Sequence, residues 1–333
     1  MSAPLLQIDD LRVRIPSRRG EVKAVDGLSF SVAPGEVVGI VGESGSGKSM
    51  LALSMLQLIP KPGRITGGRI ALNGRDLIGL SEAEMREVRG NEIGMIFQDP
   101  SASLNPVLRI GRQVAETVEA HHRVTPAQSW RRSVEMLQGV RIPDPEARAR
   151  DYPHQYSGGM RQRVVIAIGM ANAPKLLIAD EPTTALDVTV QAQIMGLLGR
   201  MNKETGTAIL LISHNIALVS RFCTRVLVMY AGRIVEAGPT AQVFANPEHP
   251  YTRALLNAVP RIDRRVEEGL QTIAGRPPDL ASLPAGCAFE PRCPARLRSC
   301  AEEQPPAFPV GEGRFARCWL AEHSKHQQGN SRS

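Results

Sequence analysis

An α/β fold built on a core β-sheet is the fold class that this sequence predicts. The first observation is an apolar run at residues 36–41, followed by a glycine-rich loop and a helix-like run at residues 50–56. The second is a pair of later apolar runs, residues 175–180 and 207–213, which lead into acidic or titratable side chains. Continuous apolar runs of this length are typical of strands buried on both faces, so they predict the central strands of the sheet.

The glycine-rich loop fits the pattern G-x-x-x-x-G-K-[ST], and the strand before it and the helix after it are the context that this pattern requires. Glycines let backbone N–H groups approach phosphates, and the start of the helix adds partial positive charge. We expect Lys48 to reach the β- and γ-phosphates of a nucleotide and Ser49 to bind Mg²⁺. The alternative is a glycine-rich turn that matches by chance. The nucleotide-binding candidates are Gly42, Glu43, Ser44, Gly45, Ser46, Gly47, Lys48 and Ser49.

The predicted strand at residues 175–180 ends in two acidic side chains, Asp180 and Glu181. A carboxylate at the C-terminal end of a strand faces the ligand crevice of an open α/β sheet. We expect Asp180 to hold Mg²⁺ and Glu181 to act as general base on the attacking water. The alternative is an acidic pair at the surface, which the phosphate loop earlier in the chain disfavours.

Two further polar side chains follow predicted strands. His214 comes after the run at residues 207–213, where it could contact a γ-phosphate, although a lone histidine is more often structural. Gln98 follows the run at residues 93–97, where its amide could sense both the metal ion and the water. Its alternative role is to start the turn before Asp99 and Pro100. We therefore include Glu181, His214 and Gln98 as catalytic candidates, with Ser49, Gln98 and Asp180 as Mg²⁺ ligands.

These motifs together resemble the ATP-binding subunit of an ABC transporter, over roughly residues 5–240. Residues 156–163 resemble the ABC signature, commonly LSGGQ, with tyrosine in place of leucine, methionine in place of glutamine, and Ser157, Gly158 and Gly159 retained. The family uses this loop to contact the γ-phosphate bound by the opposite subunit. Residues 185–187, which end in Asp187, resemble the D-loop that links the two sites. The resemblance therefore implies an ATPase that works as a pair, with ATP and Mg²⁺ as cofactors.

A narrower resemblance to oligopeptide and dipeptide importers comes from residues 97–106, from residues 246–253 and from a cysteine-rich tail. It implies two transmembrane permease subunits as partners, and a sister ATPase subunit or a second copy of this chain. It also implies an extracytoplasmic peptide-binding protein that acts through the permease. Import of a nickel chelate or another small solute remains an alternative, as does an ABC ATPase that regulates without transport.

The adenine contact is the point where the sequence departs from the family. Cassettes of this kind stack the base on an aromatic side chain near the end of the first strand. No aromatic residue lies between Arg14 and Ala24. Val22 or Arg19 are the alternatives, so the adenine contact stays unassigned.

Charge and hydropathy limit the partners and the location. The formal net charge of +7 suits nucleic acid or an anionic membrane surface, but no arginine block is long enough for a nucleic-acid arm. ABC ATPases that act on nucleic acid usually carry two cassettes or a long coiled coil, so we expect no nucleic-acid partner. No apolar run approaches the ~20 residues of a membrane span, and the N-terminus does not resemble a secretory signal. We expect a peripheral protein on the cytoplasmic face of the inner membrane.

The resemblance also predicts the domain organisation: a mixed core sheet with an antiparallel β subdomain and a helical subdomain, followed by a small module. We place the nucleotide-binding domain at residues 1–258, its helical subdomain at about 105–170, the cysteine-rich module at 259–322 and a disordered polar tail at 323–333. Further predicted strands are residues 7–15, 28–32, 68–72, 226–230 and 233–236, and further helices are residues 108–120, 128–137 and 188–203.

Four of the five cysteines lie in the tail, at Cys287, Cys293, Cys300 and Cys318, with the spacing C-x5-C-x6-C-x17-C. Disulfides are rare in the cytosol, and a short segment with little apolar core needs another staple. Zinc sites usually use tight C-x2-4-C pairs, so the wide spacing favours a 4Fe-4S cluster. Zinc and free or oxidised thiols remain alternatives, and the role is either a structural staple or a redox sensor. Cys223 is expected to be a buried apolar thiol.

Overall fold

The computed structural model describes residues 3–184, 186–259 and 273–322. Three predictions fall outside these ranges: the contribution of Ala185 to the D-loop, the first part of the cysteine-rich module, and the disordered tail at residues 323–333. The elements below are those of the described residues.

The strands are β1 (Leu6–Ser17), β2 (Gly20–Val32), β3 (Val37–Val41), β4 (Arg64–Leu72), β5 (Arg75–Asp76), β6 (Ile93–Ile96), β7 (Leu176–Asp180), β8 (Ala208–Ile212), β9 (Arg225–Tyr230), β10 (Arg233–Pro239), β11 (Phe308–Gly311) and β12 (Arg314–Ala316). The helices are α1 (Lys48–Met55), α2 (Glu82–Val88), α3 (Pro100–Ser103), α4 (Ile110–Glu119), α5 (Pro126–Gly139), α6 (Pro145–Arg148), α7 (Gly158–Met170), α8 (Val188–Thr205), α9 (Ile216–Phe222), α10 (Thr240–Ala245), α11 (Pro250–Asn257) and α12 (Ser299–Glu302). Short 3-10 turns occur at Pro153–Gln155 and Glu290–Arg292.

The chain divides into two compact units. The first unit comprises Met1–Leu6, Val32–Glu36 and Leu72–Ile212, and the second comprises Gln7–Ser31, Val37–Ala71 and Ser213–Ser333, as far as these residues are described. No helix in the described ranges combines the length and the apolarity that a membrane crossing requires.

The first unit contains three parallel strands in the order β8-β7-β6. Every residue of β7 and β8 is buried, which explains why their sequences are continuous apolar runs rather than alternating ones. Ile178 of β7 is in register with Leu210 of β8 on one side and with Met95 of β6 on the other. Because the strands are parallel, their carboxyl ends lie at one edge, where Gln98, Asp180 and Glu181 follow them.

Helices fill the first unit between β6 and β7, and no strand interrupts residues 106–170, which the sequence pattern predicted to be helical. Helix α4 packs against α5 and α7. A capping box formed by Thr125 and Gln128 starts α5, and the Ser157 hydroxyl starts α7 by accepting a hydrogen bond from the backbone N–H of Met160. The signature motif therefore lies at the beginning of a long helix.

The second unit contains strands in the order β11-β12-β10-β9-β3. Strand β3 is parallel to β9, and the remaining pairs are antiparallel. Strand β12 places Ala316 opposite Glu236 of β10. Beside this pair, the buried guanidinium of Arg314 donates to the buried carboxylate of Glu236 at 2.9 Å. The described C-terminal segment thus extends the sheet that also contains β3. The same unit holds most of a second sheet, in which β1 lies between β2 and β4.

Candidate functional site

The phosphate loop lies in the second unit, between the end of β3 at Val41 and the start of α1 at Lys48. A Cβ at Gly42 would collide with the carbonyl oxygen of Met229, and one at Gly47, where φ is +102°, would collide with that of Ala24. Both positions therefore require glycine. Every residue of β3, the strand before the loop, is buried, so packing around this strand fixes the point at which the loop begins.

Lys48 lies across this loop. Its Nζ donates to the carbonyl oxygens of Gly42 and Glu43, both at 2.8 Å, and to the Ser46 hydroxyl at 3.4 Å. The side chain is only 6% exposed, whereas Ser44 and Ser49 are exposed. The lysine therefore presents its charge from within the loop, which is the arrangement expected of a phosphate-binding lysine.

His214 belongs to the same unit as the phosphate loop. The backbone N–H of Ser213 donates to the carbonyl oxygen of Ile40 at 3.1 Å, next to the strand end from which the loop departs. His214 is exposed and precedes Asn215, the N-cap of α9. The structure thus places His214 directly after a hydrogen bond to β3, the strand from which the phosphate loop departs, and its contact with a γ-phosphate stays a prediction.

Glu181 and Gln98 meet at the carboxyl edge of the first unit. The Gln98 amide Nε2 donates to Glu181 Oε2 at 3.1 Å, and the Thr184 hydroxyl donates to the same oxygen at 2.9 Å. Glu181 adopts φ +49°, and its N–H donates to the carbonyl oxygen of Ile212 at 2.9 Å. A non-glycine residue held in this region carries backbone strain, which clusters at functional sites. The backbone conformation of Glu181 and the hydrogen bonds from Gln98 and Thr184 together orient its carboxylate.

Asp180 is the last residue of β7 and is 6% exposed. Gln98 and Asp180 of the first unit offer an amide and a carboxylate oxygen, and Ser49 of the second unit offers a hydroxyl oxygen. Mg²⁺ prefers oxygen ligands, so the chemistry of each residue fits the ion. Thr184, whose hydroxyl donates to Glu181, is a functional candidate that was not predicted from the sequence. Its only sequence signal is its position three residues after Glu181.

The signature motif and the D-loop contact each other within the first unit. A Cβ at Gly159 would lie 2.8 Å from Val190 Cγ1, and one at Gly158 would lie 3.8 Å from Leu186 Cδ2. Asp187 is the N-cap of α8, and its Oδ1 accepts from the N–H of Val190 at 2.9 Å. Gly159 is therefore needed for close packing on α8, and Ser157 and Asp187 are both exposed beside this contact.

Two groups from the C-terminal part of the second unit hold Glu43 of the phosphate loop. Arg292 forms a two-pronged salt bridge to its carboxylate, with Nη1 to Oε2 at 2.7 Å and Nη2 to Oε1 at 3.0 Å. The hydroxyl of Tyr251 accepts from the backbone N–H of Glu43 at 2.8 Å. The salt bridge to Glu43, together with a hydrogen bond to the Tyr230 hydroxyl, raises the pKa of Arg292 above its ordinary value. Neither Arg292 nor Tyr251 was predicted from the sequence to act at the nucleotide site.

The four tail cysteines line one small cavity in the second unit, together with His249 and Phe289. Burial raises the pKa of the Cys287 and Cys318 thiols to about 11. Among the described residues, no group of three or more His, Cys, Asp or Glu side chains is arranged to hold a metal ion. The predicted metal cluster is therefore not confirmed. Cys223 is buried, as expected, and burial raises the pKa of its thiol to about 12.

Comparisons with known proteins identify the family. The sequence profile of ABC transporters matches residues 25–184, and that of the C-terminal region of oligopeptide/dipeptide transporters matches residues 235–300. The oligopeptide transport ATP-binding protein OppD of Escherichia coli is 50% identical over 315 residues, which cover 95% of this chain and 93% of OppD. The chain belongs to the oligopeptide/dipeptide family of ABC transporter ATP-binding proteins. A probable peptide ABC transporter ATP-binding protein of Sinorhizobium fredii is 49% identical over 316 residues and confirms this membership.

Solved structures confirm that this family member has the ABC cassette fold. The ATP-binding cassette MJ0796, as a dimer bound to ADP and phosphate, matches with a TM-score of 0.64 and 26% identity, over 71% of this chain and 98% of that cassette. The protein cbiO1 of Clostridium perfringens, part of the ABC transporter complex cbiONQ, matches with a TM-score of 0.62 and 30% identity, over 74% and 92%. The chain is thus an ABC-type ATPase, as the motifs predicted.

Proposed function

We propose that this ATPase is the energising subunit of an ABC importer that takes up peptides across the cytoplasmic membrane. The observation that supports this proposal most strongly is the similarity to proteins named for peptide or oligopeptide transport. These proteins are about 50% identical to the chain over nearly its full length. The match of residues 235–300 to the C-terminal region of such transporters supports the same substrate class. The protein acts as a peripheral subunit on the cytoplasmic face, bound to two permease subunits that receive peptide from an extracytoplasmic binding protein.

The residues described above suit this activity. Lys48 and the N–H groups of the phosphate loop bind the β- and γ-phosphates. Ser49, Gln98 and Asp180 would hold Mg²⁺, which would supply positive charge to these phosphates. Glu181 accepts the proton of the attacking water, with its carboxylate oriented by Gln98 and Thr184. His214 contacts the γ-phosphate.

We propose that two cassettes act together, from two copies of this chain or from this chain and a sister ATPase. Ser157, Gly158 and Gly159 of one cassette complete the nucleotide site of the other, and Asp187 links the two sites. The exposure of Ser157 and Asp187, on loops that pack together, supports this role. We place the nucleotide-binding domain at residues 1–258, with its helical subdomain at about 105–170, and the transporter-specific C-terminal region at 259–322.

Uptake of labelled peptides tests this function. In cells that lack the chain, the native sequence is expected to restore uptake of at least one peptide class, and Glu181→Gln is not. The comparison requires equal amounts of both proteins at the membrane. Peptide uptake that is equal with and without the chain would contradict the assignment, and would direct the search to a nickel chelate or another small solute.

We also propose that Cys287, Cys293, Cys300 and Cys318 hold a 4Fe-4S cluster. Four thiols around one cavity are the donor set that such a cluster uses, and its four irons keep the sulfurs farther apart than a single ion does. His249 supports the proposal because it lines the cavity and its Nε2 is buried without a hydrogen-bond partner. Its Nδ1 accepts from the N–H of Tyr251 at 3.0 Å, so Nε2 carries the proton and can donate to a sulfur.

Protein purified without oxygen is expected to be brown, with absorption at about 400 nm and iron and sulfide in equal amounts. A Cys293→Ser variant is expected to lose most of this absorption, and Cys223→Ser is expected to keep it because Cys223 does not line the cavity. Colourless native protein that contains one zinc ion per chain would contradict the cluster.

A further inference from the structure

Arg292 is tied to the phosphate loop more firmly than a surface ion pair would be. Its side chain is 5% exposed, and its guanidinium makes both prongs of the salt bridge to Glu43. A third hydrogen bond joins Nη1 to the Tyr230 hydroxyl at 3.2 Å, and a fourth joins Nε to the carbonyl oxygen of Ala274 at 2.8 Å. A fifth joins Nη2 to the carbonyl oxygen of Ile273 at 3.4 Å. A guanidinium fixed by these five hydrogen bonds holds its partner carboxylate in one geometry.

Aromatic rings fix the position of this guanidinium. Its central carbon lies 5.9 Å from the ring centroids of both Tyr230 and Phe289. The ring of Tyr230 packs on Tyr251 at 4.5 Å and on Phe289 at 5.3 Å, and all three rings are buried. The hydroxyl of Tyr251 also accepts a hydrogen bond from the backbone N–H of Glu43. The buried cluster of Arg292 and the three rings therefore holds both the side chain and the backbone of Glu43.

The charge of Glu43 explains what this cluster does. Glu43 follows the first glycine of the loop, so its carboxylate lies close to a site that must receive a polyanionic triphosphate. An uncompensated carboxylate there would repel the nucleotide, because like charges at short range oppose binding in a partly desolvated site. Arg292 compensates the charge of this carboxylate through the two-pronged salt bridge. The pair therefore serves binding of ATP rather than the chemistry of hydrolysis.

We propose that Arg292 is a positioning residue for ATP binding, which neutralises and holds Glu43 of the phosphate loop from the C-terminal segment of the chain. The proposal rests on the assignment of residues 42–49 as the nucleotide site. It joins the segment that carries the tail cysteines to the nucleotide site, because Arg292 directly precedes Cys293.

The first test is Arg292→Met in the purified full-length chain. We expect its KM and Kd for ATP to rise about 5- to 10-fold, because a smaller fraction of the chain keeps a binding-competent loop, while kcat at saturating ATP changes less than about twofold. Arg292→Lys keeps the positive charge but cannot form the two-pronged salt bridge, so its KM is expected to lie between those of the native protein and Arg292→Met. The control is Arg298→Met, since Arg298 is 94% exposed and pairs with Glu302.

The second test adds Glu43→Gln to Arg292→Met. Removing the carboxylate removes the repulsion, so the double variant is expected to bind ATP at least about threefold more tightly than Arg292→Met alone. A merely structural role of Arg292 would lower the melting temperature and give no such recovery. An unchanged KM in Arg292→Met, or no recovery in the double variant, would overturn the proposal. Failure of the underlying site assignment is distinguishable, because Lys48→Ala would then bind ATP normally.

Discussion

Replacing Glu181 by glutamine is expected to lower kcat for ATP hydrolysis at least about 100-fold while ATP binding persists. The amide has nearly the shape of the carboxylate and can still accept the hydrogen bonds that Gln98 and Thr184 donate to Oε2. It has no basicity, so it cannot take the proton of the attacking water. A 100-fold loss corresponds to about 2.7 kcal/mol of transition-state stabilisation. Single-turnover hydrolysis and equilibrium binding of ATP separate the two steps.

The same variant is expected to accumulate as an ATP-bound pair of cassettes, because the step that consumes ATP is blocked. Gel filtration with ATP and Mg²⁺ would show this as a species of twice the mass, which is absent with ADP. Glu204→Gln is the matched control, since Glu204 is exposed near the end of α8. Hydrolysis at the normal rate by Glu181→Gln would show that another group acts as the base.

Replacing Lys48 by alanine is expected to raise the Kd for ATP about 10- to 100-fold, the loss typical of one or two charge-assisted hydrogen bonds to phosphate. The lysine also holds the loop through the carbonyl oxygens of Gly42 and Glu43, so a part of the loss reflects a looser loop. Calorimetric titration with ATP measures the effect. Lys203→Ala, an exposed lysine in the last turn of α8, controls for the loss of one positive charge. Equal Kd values for native protein and Lys48→Ala would contradict the phosphate-loop assignment.

The central strands could be predicted from the sequence because burial on both faces leaves a continuous apolar run. Strands β3, β7 and β8 and the helices α4, α5 and α8 lie within a few residues of their predicted positions. The contact between Gln98 and Glu181 follows from the same logic, because parallel neighbouring strands bring their carboxyl ends together. A motif that directly follows a central strand can therefore be placed at the carboxyl edge of the sheet once the strand itself is recognised.

Other elements were missed for physical reasons. Strand β2 begins at Gly20, whereas the prediction placed its start at residue 28. The early start was missed because the first residues of the strand are polar and exposed and show no apolar alternation. Helix α2 was overlooked although its capping box, Ser81 with Glu84, is a local signal. Strands β11 and β12 are too short to give a periodic pattern.

The contact between Arg292 and Glu43 joins residues that are 249 positions apart. Each residue lies beside a motif, the phosphate loop or the tail cysteines, but nothing in either motif indicates that the two residues contact each other. The tyrosines that contact this pair, Tyr230 and Tyr251, lie on a strand and a helix that only the folded chain brings together. Long-range pairs of this kind are determined by packing and have no signature in one sequence.

The late position of β12 has a consequence for biosynthesis. Glu236 is completely buried, and its partner Arg314 is translated 78 residues later. While the ribosome adds the intervening residues, at roughly 5 to 20 per second, this carboxylate lacks the guanidinium that compensates its burial. The edge of β10 is also unpaired until residues 314–316 emerge. The nascent chain therefore exposes an open sheet edge for several seconds, an interval in which a chaperone would protect it from aggregation.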